Sequence, residues 1–320
     1  MRRNIYPMTD TITWAASTKN GVDVPEEGYI THIDTFFTLN ITGGSTVVAV
    51  QDGWARTLTA ATLKASGAKT YFDITDGRQW LYWMHHIYRS RIDLTDLPTA
   101  GASAANYYMV LPIHWGLNPY DKFDRTVVVP AVELTNLRMD VTWGAATGLI
   151  DSDSTVGSGN AKLVVYELVL EKGDLVPEVW PRGLLSPRME ADVEASISST
   201  YSNFSFKKDM PVGDTLYQTL LLVLDSSGNR SRSYLSEYRL EFPKARMFPI
   251  EHTWRTQEFI TYRDFDLDAR LTGALLFPWG EVTGDVAGLD LSAAMKGDVK
   301  LGFTIATASG ALHLLHYALG

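Results

Sequence analysis

The chain has 320 residues, no cysteine and a net charge of −9 at pH 7. The absence of cysteine excludes disulfide bonds, thiol catalysis and thiolate zinc sites. An acidic chain opposes general nucleic-acid binding, which usually requires a basic surface. With 45% hydrophobic and 20% charged residues, the composition is that of an ordinary globular protein, and its length predicts about two domains.

Hydropathy gives no sign of export or of membrane insertion. No apolar run approaches the ~20 residues that span a bilayer. Arg2 and Arg3 are followed by a mixed stretch, whereas a signal peptide would continue with an apolar segment. We therefore expect the protein to stay in the cytoplasm, where it is made, until it assembles with a partner.

The first half of the chain alternates in the manner of β-strands. Residues 1–28 are mixed and polar and are predicted to form an N-terminal arm. Ile30–Ile41 and Asn136–Trp143 place apolar side chains at every second position, the period of a half-buried strand. Lys162–Leu170 is apolar on both faces, as in a strand inside a packed sandwich. Further strands are predicted over Thr46–Val50, Thr70–Ile74, Tyr107–His114 and Thr126–Val129.

Three stretches depart from this period. Gln79–Ile92 carries Trp80 and Met84 on one helical face, which predicts a helix packed on a β-domain. Residues 54–66 fit a helix or a strand equally well. Residues 144–160 are rich in glycine, serine and aspartate, so a long exposed loop is predicted there.

The second half repeats the first in the same order. Residues 173–213 contain four prolines and no sustained period, and they are predicted to connect the two halves. Tyr107–Gly116 and Gly273–Gly280 are both apolar runs that meet a proline, a tryptophan and a glycine. Within the second series, the stretch that carries Trp254 corresponds to the stretch that carries Trp80 in the first. The strands of this second series are predicted over Leu216–Leu224, Glu237–Phe242, Gly273–Gly280, Asp298–Ile305 and Leu312–Leu319.

This repetition predicts an all-β protein, with two tandem eight-stranded jelly rolls (a double jelly roll) and a few short helices. The predicted division is an N-terminal arm at 1–28, a first jelly roll at 29–172, a connecting segment at 173–213 and a second jelly roll at 214–320.

Strand order and length resemble those of the double jelly-roll major capsid proteins. These proteins build tailless icosahedral viruses with an internal membrane, in the lineage that includes the adenovirus hexon. The compact length is most similar to the small capsid proteins of membrane-containing bacteriophages, including the Flavobacterium-infecting kind. The resemblance implies a virion protein without enzymatic activity, which forms homotrimeric, pseudo-hexagonal capsomers that tile an icosahedral shell.

The same resemblance implies partners and contact residues. The partners would be further copies of the chain, neighbouring capsomers, penton and minor capsid proteins, and the internal membrane, with no direct binding of nucleic acid. The N-terminal arm would face inward, with Arg2, Arg3 and Tyr6 contacting the membrane or neighbouring capsomers. Each arginine contributes only about 1 kcal/mol near an anionic surface, so the arm could assist assembly without anchoring the shell. Loops such as Ala145–Gly159 would lie on the exposed side.

The chain is rich in large aromatic residues, with nine tryptophans and fifteen tyrosines. Both residue types supply large, rigid contact areas at interfaces. Trp54, Trp115, Trp180 and Trp279 fall at strand ends or in loops, where they are candidate interface residues. The alternative is that each covers the core of its own domain.

Three groups of residues are candidates for metal binding or catalysis. His85, His86 and His114 could suggest a metal, but adjacent helical residues point about 100° apart and no HExxH motif is present. Asp264–Asp268 has the spacing that opens a calcium loop but lacks its glycine and final glutamate, and Asp151 and Asp153 are the other acidic candidates.

Paired carboxylates would be needed for glycoside hydrolysis. Glu237 and Glu241 share the polar face of one strand with Arg239, which favours a solvated sheet face. No catalytic, cofactor-binding or metal-binding residue is therefore predicted. The alternative function is a two-domain β-sandwich carbohydrate-binding protein or glycosidase, which would bind its glycan in a tryptophan-lined groove.

Overall fold

The computed structural model describes residues 1–45, 50–66, 69–88, 98–116, 118, 120–147, 153–180, 183–243, 250–264, 266–267, 270–279 and 288–320. The chain divides into two compact units, Met1–Met189 and Glu190–Gly320. Most of the sequence motifs considered above lie within the described residues. The predicted strand at Thr46–Val50, apart from Val50, lies outside them, as does the end of the predicted helix beyond Tyr88.

The first unit is a sandwich of two four-stranded antiparallel sheets. One sheet has the strand order β1-β8-β3-β6 and the other has the order β5-β4-β7-β2. The strands are β1 (Arg2–Thr13), β2 (Lys19–Asp23), β3 (Tyr29–Thr42), β4 (Leu58–Lys64), β5 (Thr70–Ile74), β6 (Ala105–His114), β7 (Arg138–Trp143) and β8 (Thr155–Val169).

The second unit has the same architecture. Its sheets have the orders β14-β11-β17-β9 and β10-β16-β12-β13, and a two-residue strand, β15, pairs with β11. The strands are β9 (Pro187–Ile197), β10 (Tyr201–Asp209), β11 (Thr215–Leu224), β12 (Leu235–Glu241), β13 (Ile250–Thr253), β14 (Ala274–Pro278), β15 (Leu289–Asp290), β16 (Lys300–Ile305) and β17 (Gly310–Leu319).

The two units share one topology. Counted from its own first strand and leaving β15 aside, each unit has one sheet in the order 1-8-3-6 and one in the order 5-4-7-2. This is the arrangement of a jelly roll, in which two sheets of four strands pack face to face. The prediction of two tandem jelly rolls is confirmed, and the repeated Pro-Trp segments occupy equivalent strands, β6 and β14.

Helices are short and occur at equivalent places. In each unit an 11-residue helix joins the fifth and sixth strands: α2 (Gly77–Ile87) and α4 (Trp254–Asp264). The first of these confirms the helix predicted from residue 79. It begins at Asp76, whose side chain accepts a hydrogen bond from the Arg78 backbone N–H. Further helices among the described residues are α1 (Gly53–Arg56), α3 (Val176–Val179) and a 3-10 turn (Ala131–Glu133).

Alternation along the strands builds the cores. In β7, Met139, Val141 and Trp143 are buried, whereas the residues between them are half-buried or exposed. In the second unit, Leu301, Phe303 and Ile305 of β16 enter one cluster with residues of β11, β12, β14 and β17. Burial of these apolar surfaces between two sheets supplies the main favourable free energy of such a fold.

The structure corrects three of the predicted boundaries. Residues 1–28 do not form a separate arm, because β1 pairs with β8 from Arg2 to Thr13 and β2 pairs with β7. Residues 173–213 contain the strands β9 and β10. These strands were missed because β1 and β10 each bury few side chains and β9 is mostly half-buried, so the period of two is weak.

The predicted loop at 144–160 is also shorter than expected, because β8 already begins at Thr155. Gly157 and Gly159 belong to β8 rather than to a loop. A Cβ atom at Gly159 would lie 2.5 Å from the Thr38 carbonyl oxygen of the neighbouring strand, so only glycine permits this close pairing. The strand predicted at Thr126–Val129 is reduced to a single bridge between Val129 and Ile30.

Candidate functional site

The proposed arm residues lie on the edge strand β1. Arg2, Arg3 and Tyr6 pair in register with Val169, Leu168 and Val165 of β8. All three are exposed, and the Arg3 guanidinium lies 5.2 Å from the centre of the Phe123 ring. The N-terminal ammonium group bonds to the carboxylates of Glu171 and Asp174. The first residues of the chain are therefore held along the sheet rather than extended away from it.

The four tryptophans that are candidate interface residues are buried, as in the alternative that each covers the core of its own domain. Trp54, Trp115, Trp180 and Trp279 are each at most 5% exposed, so they offer no surface to a second chain. Each covers the interior of its own unit. The Trp180 Nε1–H donates to the Arg125 carbonyl at 2.7 Å, and the Trp279 ring stacks on Phe277 with 5.4 Å between ring centres.

Exposed apolar side chains occur instead on the outer face of the β1-β8-β3-β6 sheet. Ile5, Phe36 and Tyr108 are 54%, 40% and 50% exposed. Residues directly opposite one another in an antiparallel pair share a face of the sheet. Phe36 lies opposite Val110, Tyr108 opposite Thr38, and Ile5 opposite Tyr166, which places the three exposed side chains on one face. We call Ile5, Phe36 and Tyr108, with the half-buried Val110 and Val164 between them, the outer apolar strip. It was not predicted from the sequence.

The same outer face carries a buried polar cluster at its other end. His32 and His114 lie opposite one another on β3 and β6, and their Nδ1 atoms are 2.9 Å apart. The other ring nitrogen of His32, Nε2, lies 2.7 Å from Asp34 Oδ1. His32 and His114 are 0% and 2% exposed. The Tyr166 ring meets His32 edge-on, with 5.2 Å between ring centres.

Residues 120–125 cover this cluster, and we call them the cap segment. Lys122 Nζ forms an ion pair with Asp34 and lies 3.2 Å from the Tyr166 hydroxyl oxygen. The Thr31 hydroxyl donates to the Lys122 carbonyl at 2.6 Å. Phe123 packs edge-on against Tyr166, with 5.7 Å between ring centres. The contacts of Lys122 with Asp34 and Tyr166, the hydrogen bond to the backbone, and the Phe123 ring between Tyr166 and Arg3 therefore hold the cap segment to the sheet.

Burial and pairing set the protonation states of the cluster. Burial lowers the pKa of His32, although the hydrogen bond to Asp34 opposes this effect. Burial, and next the neighbouring His32, lower the pKa of His114 to about 4. Burial by itself would raise the pKa of Asp34, but the hydrogen bonds and charges of His32 and Lys122 outweigh it and lower that pKa to about 2. At neutral pH the cluster therefore holds two neutral imidazoles, one carboxylate and one ammonium.

The other sequence candidates are not assembled into a site. Among the residues that the structure describes, no group of three or more His, Asp or Glu side chains could hold a metal ion. His114 is brought to His32 rather than joined with His85 and His86 into a metal site, and the pairing was missed because the partners are far apart in sequence. Asp151 and Asp268 lie outside the described residues.

Of the proposed carboxylate pair, Glu241 is engaged in ion pairs with Lys207 and Arg239. Glu241 accepts from Lys207 Nζ at 2.6 Å, and Arg239 of the same strand bonds Glu251 at 2.5 Å. This agrees with a solvated sheet face crossed by ion pairs. Within the described ranges, no helix is both long and apolar enough to cross a membrane.

Comparison with solved structures defines the class of fold: the chain has the fold of the double jelly-roll major capsid proteins. It is similar to the major capsid protein of STIV, Sulfolobus Turreted Icosahedral Virus, with a TM-score of 0.81 and 13% identity over 99% of this chain and 97% of that one. For the major capsid protein P2 of bacteriophage PM2 the TM-score is 0.57, with 12% identity over 100% and 97% of the two chains. For the PBCV-1 virus capsid it is 0.64, with 11% identity over 99% and 94%. No family model and no curated protein matches the sequence.

Proposed function

We propose that this chain is a major capsid protein of an icosahedral virus. The observation that carries the proposal is the likeness to the STIV protein over nearly the full length of both chains. Both jelly rolls are matched together with the order in which they follow one another, so the likeness covers a whole double jelly roll. A shared fold does not determine function, and this step therefore needs an experimental test.

In the finer form of the proposal, three copies form a pseudo-hexagonal capsomer, and capsomers tile a shell around an internal membrane. Neighbouring capsomers, penton proteins and minor capsid proteins would be the further partners. Two rigid sandwiches supply a stiff building block, and many weak contacts repeated around each capsomer would stabilise the shell. Arg2, Arg3 and Tyr6 remain the candidates for contacts on the inner side, now as part of strand β1 rather than of a free arm.

Self-association should depend on exposed apolar surface, and the outer apolar strip is the place to test it. A cluster of exposed aromatic side chains on one sheet face is typical of the centre of an interface. We expect Phe36→Ser with Tyr108→Ser to weaken association of the purified protein. Met295→Ser, which alters a 70% exposed side chain of the second unit, is the matched control.

The first experiment is the molar mass of the purified chain, measured by light scattering behind a sizing column. We expect a species near three times 35.6 kDa, and imaging of the concentrated protein should then show hexagonal capsomers or closed shells. A protein that stays monomeric at high concentration in low and high salt would contradict the proposal.

The carbohydrate-binding alternative has lost its main support. A tryptophan-lined groove would need exposed indole rings, whereas the four candidate tryptophans are buried. Its proposed carboxylates, Glu237 and Glu241, lie on a strand whose charged side chains form ion pairs. Saturable binding in a glycan screen would restore this alternative.

A further inference from the structure

Among the contacts that hold the cap segment over the polar cluster is an ion pair between one ammonium and one carboxylate. Lys122 is the solvent-facing partner of that pair, with a side chain 41% exposed, whereas the side chain of Asp34 is 8% exposed. Lys122 can therefore leave into water at little cost, but Asp34 cannot. The ion pair is thus a contact that only the cap segment can break.

Hydrogen bonding through the cluster fixes the positions of its protons at neutral pH. Asp34 is a carboxylate and can only accept, so His32 donates to it from Nε2. Neutral His32 then has a bare Nδ1, and His114 must donate to it from its own Nδ1. The order Lys122, Asp34, His32, His114 is therefore a chain in which every donor meets an acceptor.

A proton added to this chain cannot be accommodated without a change. If His32 takes it, both of its ring nitrogens become donors, and neutral His114 must carry its hydrogen on Nε2 so that its Nδ1 can accept. His32 and Lys122 then place two positive charges on the single carboxylate of Asp34, inside a cluster with little access to water. Like charges so close repel strongly in a medium of low dielectric constant.

We propose that the cap segment is an acid-sensitive latch, which detaches from the outer face of the sheet when the His32–His114 pair takes up a proton. His32 then keeps Asp34 as its counter-ion, and Lys122 moves into solvent with the residues around it. Opening uncovers the rings of Phe123 and Tyr166, which adjoin the exposed side chain of Ile5 on the same face.

The other charged or titratable groups that face the pair do not cancel this effect. Tyr166 of β8 lies beside His32, and the Tyr88 hydroxyl at the end of α2 is 3.5 Å from His32 Nδ1. Burial raises the pKa of both tyrosines, so they stay neutral under acidic conditions. Two acidic residues of the cap segment, Asp121 and Asp124, raise the pKa of His114, but burial outweighs them. Arg3 of β1 lies over Phe123 and adds positive charge to the same side.

The pH range over which the latch opens follows from the direction of these pKa shifts. Free histidine protonates near pH 6.5, and the closed cluster resists protonation until the pH is considerably lower. Between these limits the open form binds more protons than the closed form, so acid favours opening. This device goes beyond the proposed function and does not depend on it.

Hydrogen exchange measured by mass spectrometry at pH 7.5 and pH 5.0, with intrinsic rates corrected for pH, tests the latch on the full chain. We expect protection of peptides covering residues 120–125 to fall by about tenfold at pH 5.0, while strand β16 of the second unit keeps its protection. Equal changes in the cap segment and in β16, or no change in either, would overturn the proposal.

Two variants separate the latch from general acid sensitivity. In Lys122→Met the cation is removed, so the cap segment should exchange rapidly at both pH values and lose its pH dependence. A Lys122→Met protein that keeps the pH dependence of the cap segment would refute the shared-carboxylate argument.

The second variant, His114→Gln, removes one of the two histidines that can take up the proton and should respond less to acid than the parent chain. His85→Gln, on the neighbouring helix, is the control and should respond as the parent does. Far-UV circular dichroism at pH 7.5 verifies that each variant folds. The opposite result, with His85→Gln blunting the response and His114→Gln leaving it intact, would place the sensor outside the cluster.

Discussion

Acid should weaken the first unit because His32, His86 and His114 are buried there as neutral imidazoles. His86 on α2 and His114 on β6 are 0% and 2% exposed. Burial lowers the pKa of each to about 4, although a hydrogen bond to the Tyr82 carbonyl opposes this for His86. Since these values lie below the ordinary value of 6.5, the unfolded chain binds more protons than the folded chain between pH 6.5 and pH 4. Stability should therefore be present above pH 6.5 and decline as the pH falls through this range.

The expected loss can be worked out from these values. For one histidine with a pKa of 6.5 unfolded and about 4 folded, lowering the pH from 7.5 to 5.0 costs about 2 kcal/mol of unfolding free energy. Protonation linked to these two histidines would then lower the unfolding free energy by about 4 kcal/mol. This is a large loss, because a typical domain is stable by only about 5–15 kcal/mol.

Urea denaturation followed by tryptophan fluorescence measures this loss. Only Trp254 and Trp279 of the nine tryptophans lie in the second unit, so the signal reports mainly the first. Replacing one titrating group, in His86→Leu, should reduce the loss of unfolding free energy between pH 7.5 and pH 5.0 by about 2 kcal/mol, whereas His85→Gln should leave the loss unchanged. Urea midpoints that stay constant from pH 7.5 to pH 5.0 would refute the reasoning.

Three further predictions concern packing and local structure. Phe303→Ala in β16 removes a fully buried ring from the core of the second unit and should lower the unfolding free energy by about 3–5 kcal/mol in urea titrations. Gly159→Ala should lower the melting temperature, because its Cβ would lie 2.5 Å from the Thr38 carbonyl, whereas Gly157→Ala, whose nearest neighbour is 3.9 Å away, should change it little. Asp76→Ala removes the N-terminal cap of α2 and should cost about 0.5–2 kcal/mol by the same titration; an unchanged midpoint would show that the cap contributes nothing.

Strands that bury one face could be predicted from the sequence alone. Ile30–Ile41, Thr70–Ile74 and Leu216–Leu224 match β3, β5 and β11 to within a residue or so at each end. In each of these strands the core selects apolar side chains, and that selection leaves either a clear period of two or a continuous apolar run. The helix α2 was predicted for the same reason, since its buried face repeats at helical spacing.

Edge strands that bury few side chains could not be predicted in this way. In β1 only Met8 and Ile12 are buried, so the sequence of this 12-residue strand lacks an apolar period of two. The strand nevertheless pairs with β8 along most of its length. Pairing of this kind is made by backbone hydrogen bonds, which leave no mark on side-chain composition. The arm predicted over residues 1–28 and the connecting segment at 173–213 were both consequences of this limit.

By itself, the sequence determined the class of fold and the repetition within it. Alternating strands in the same order, each series with one helix, define two jelly rolls, because the period and order of apolar residues are properties of the chain. Tertiary structure decided which side chains meet. In the folded protein the four candidate tryptophans are buried, and Ile5, Phe36 and Tyr108 lie exposed on one outer face. His32 contacts His114, and Lys122 covers them through its ion pair with Asp34. Such contacts depend on the register between strands distant in sequence, and register is fixed only when the sheets form and pack.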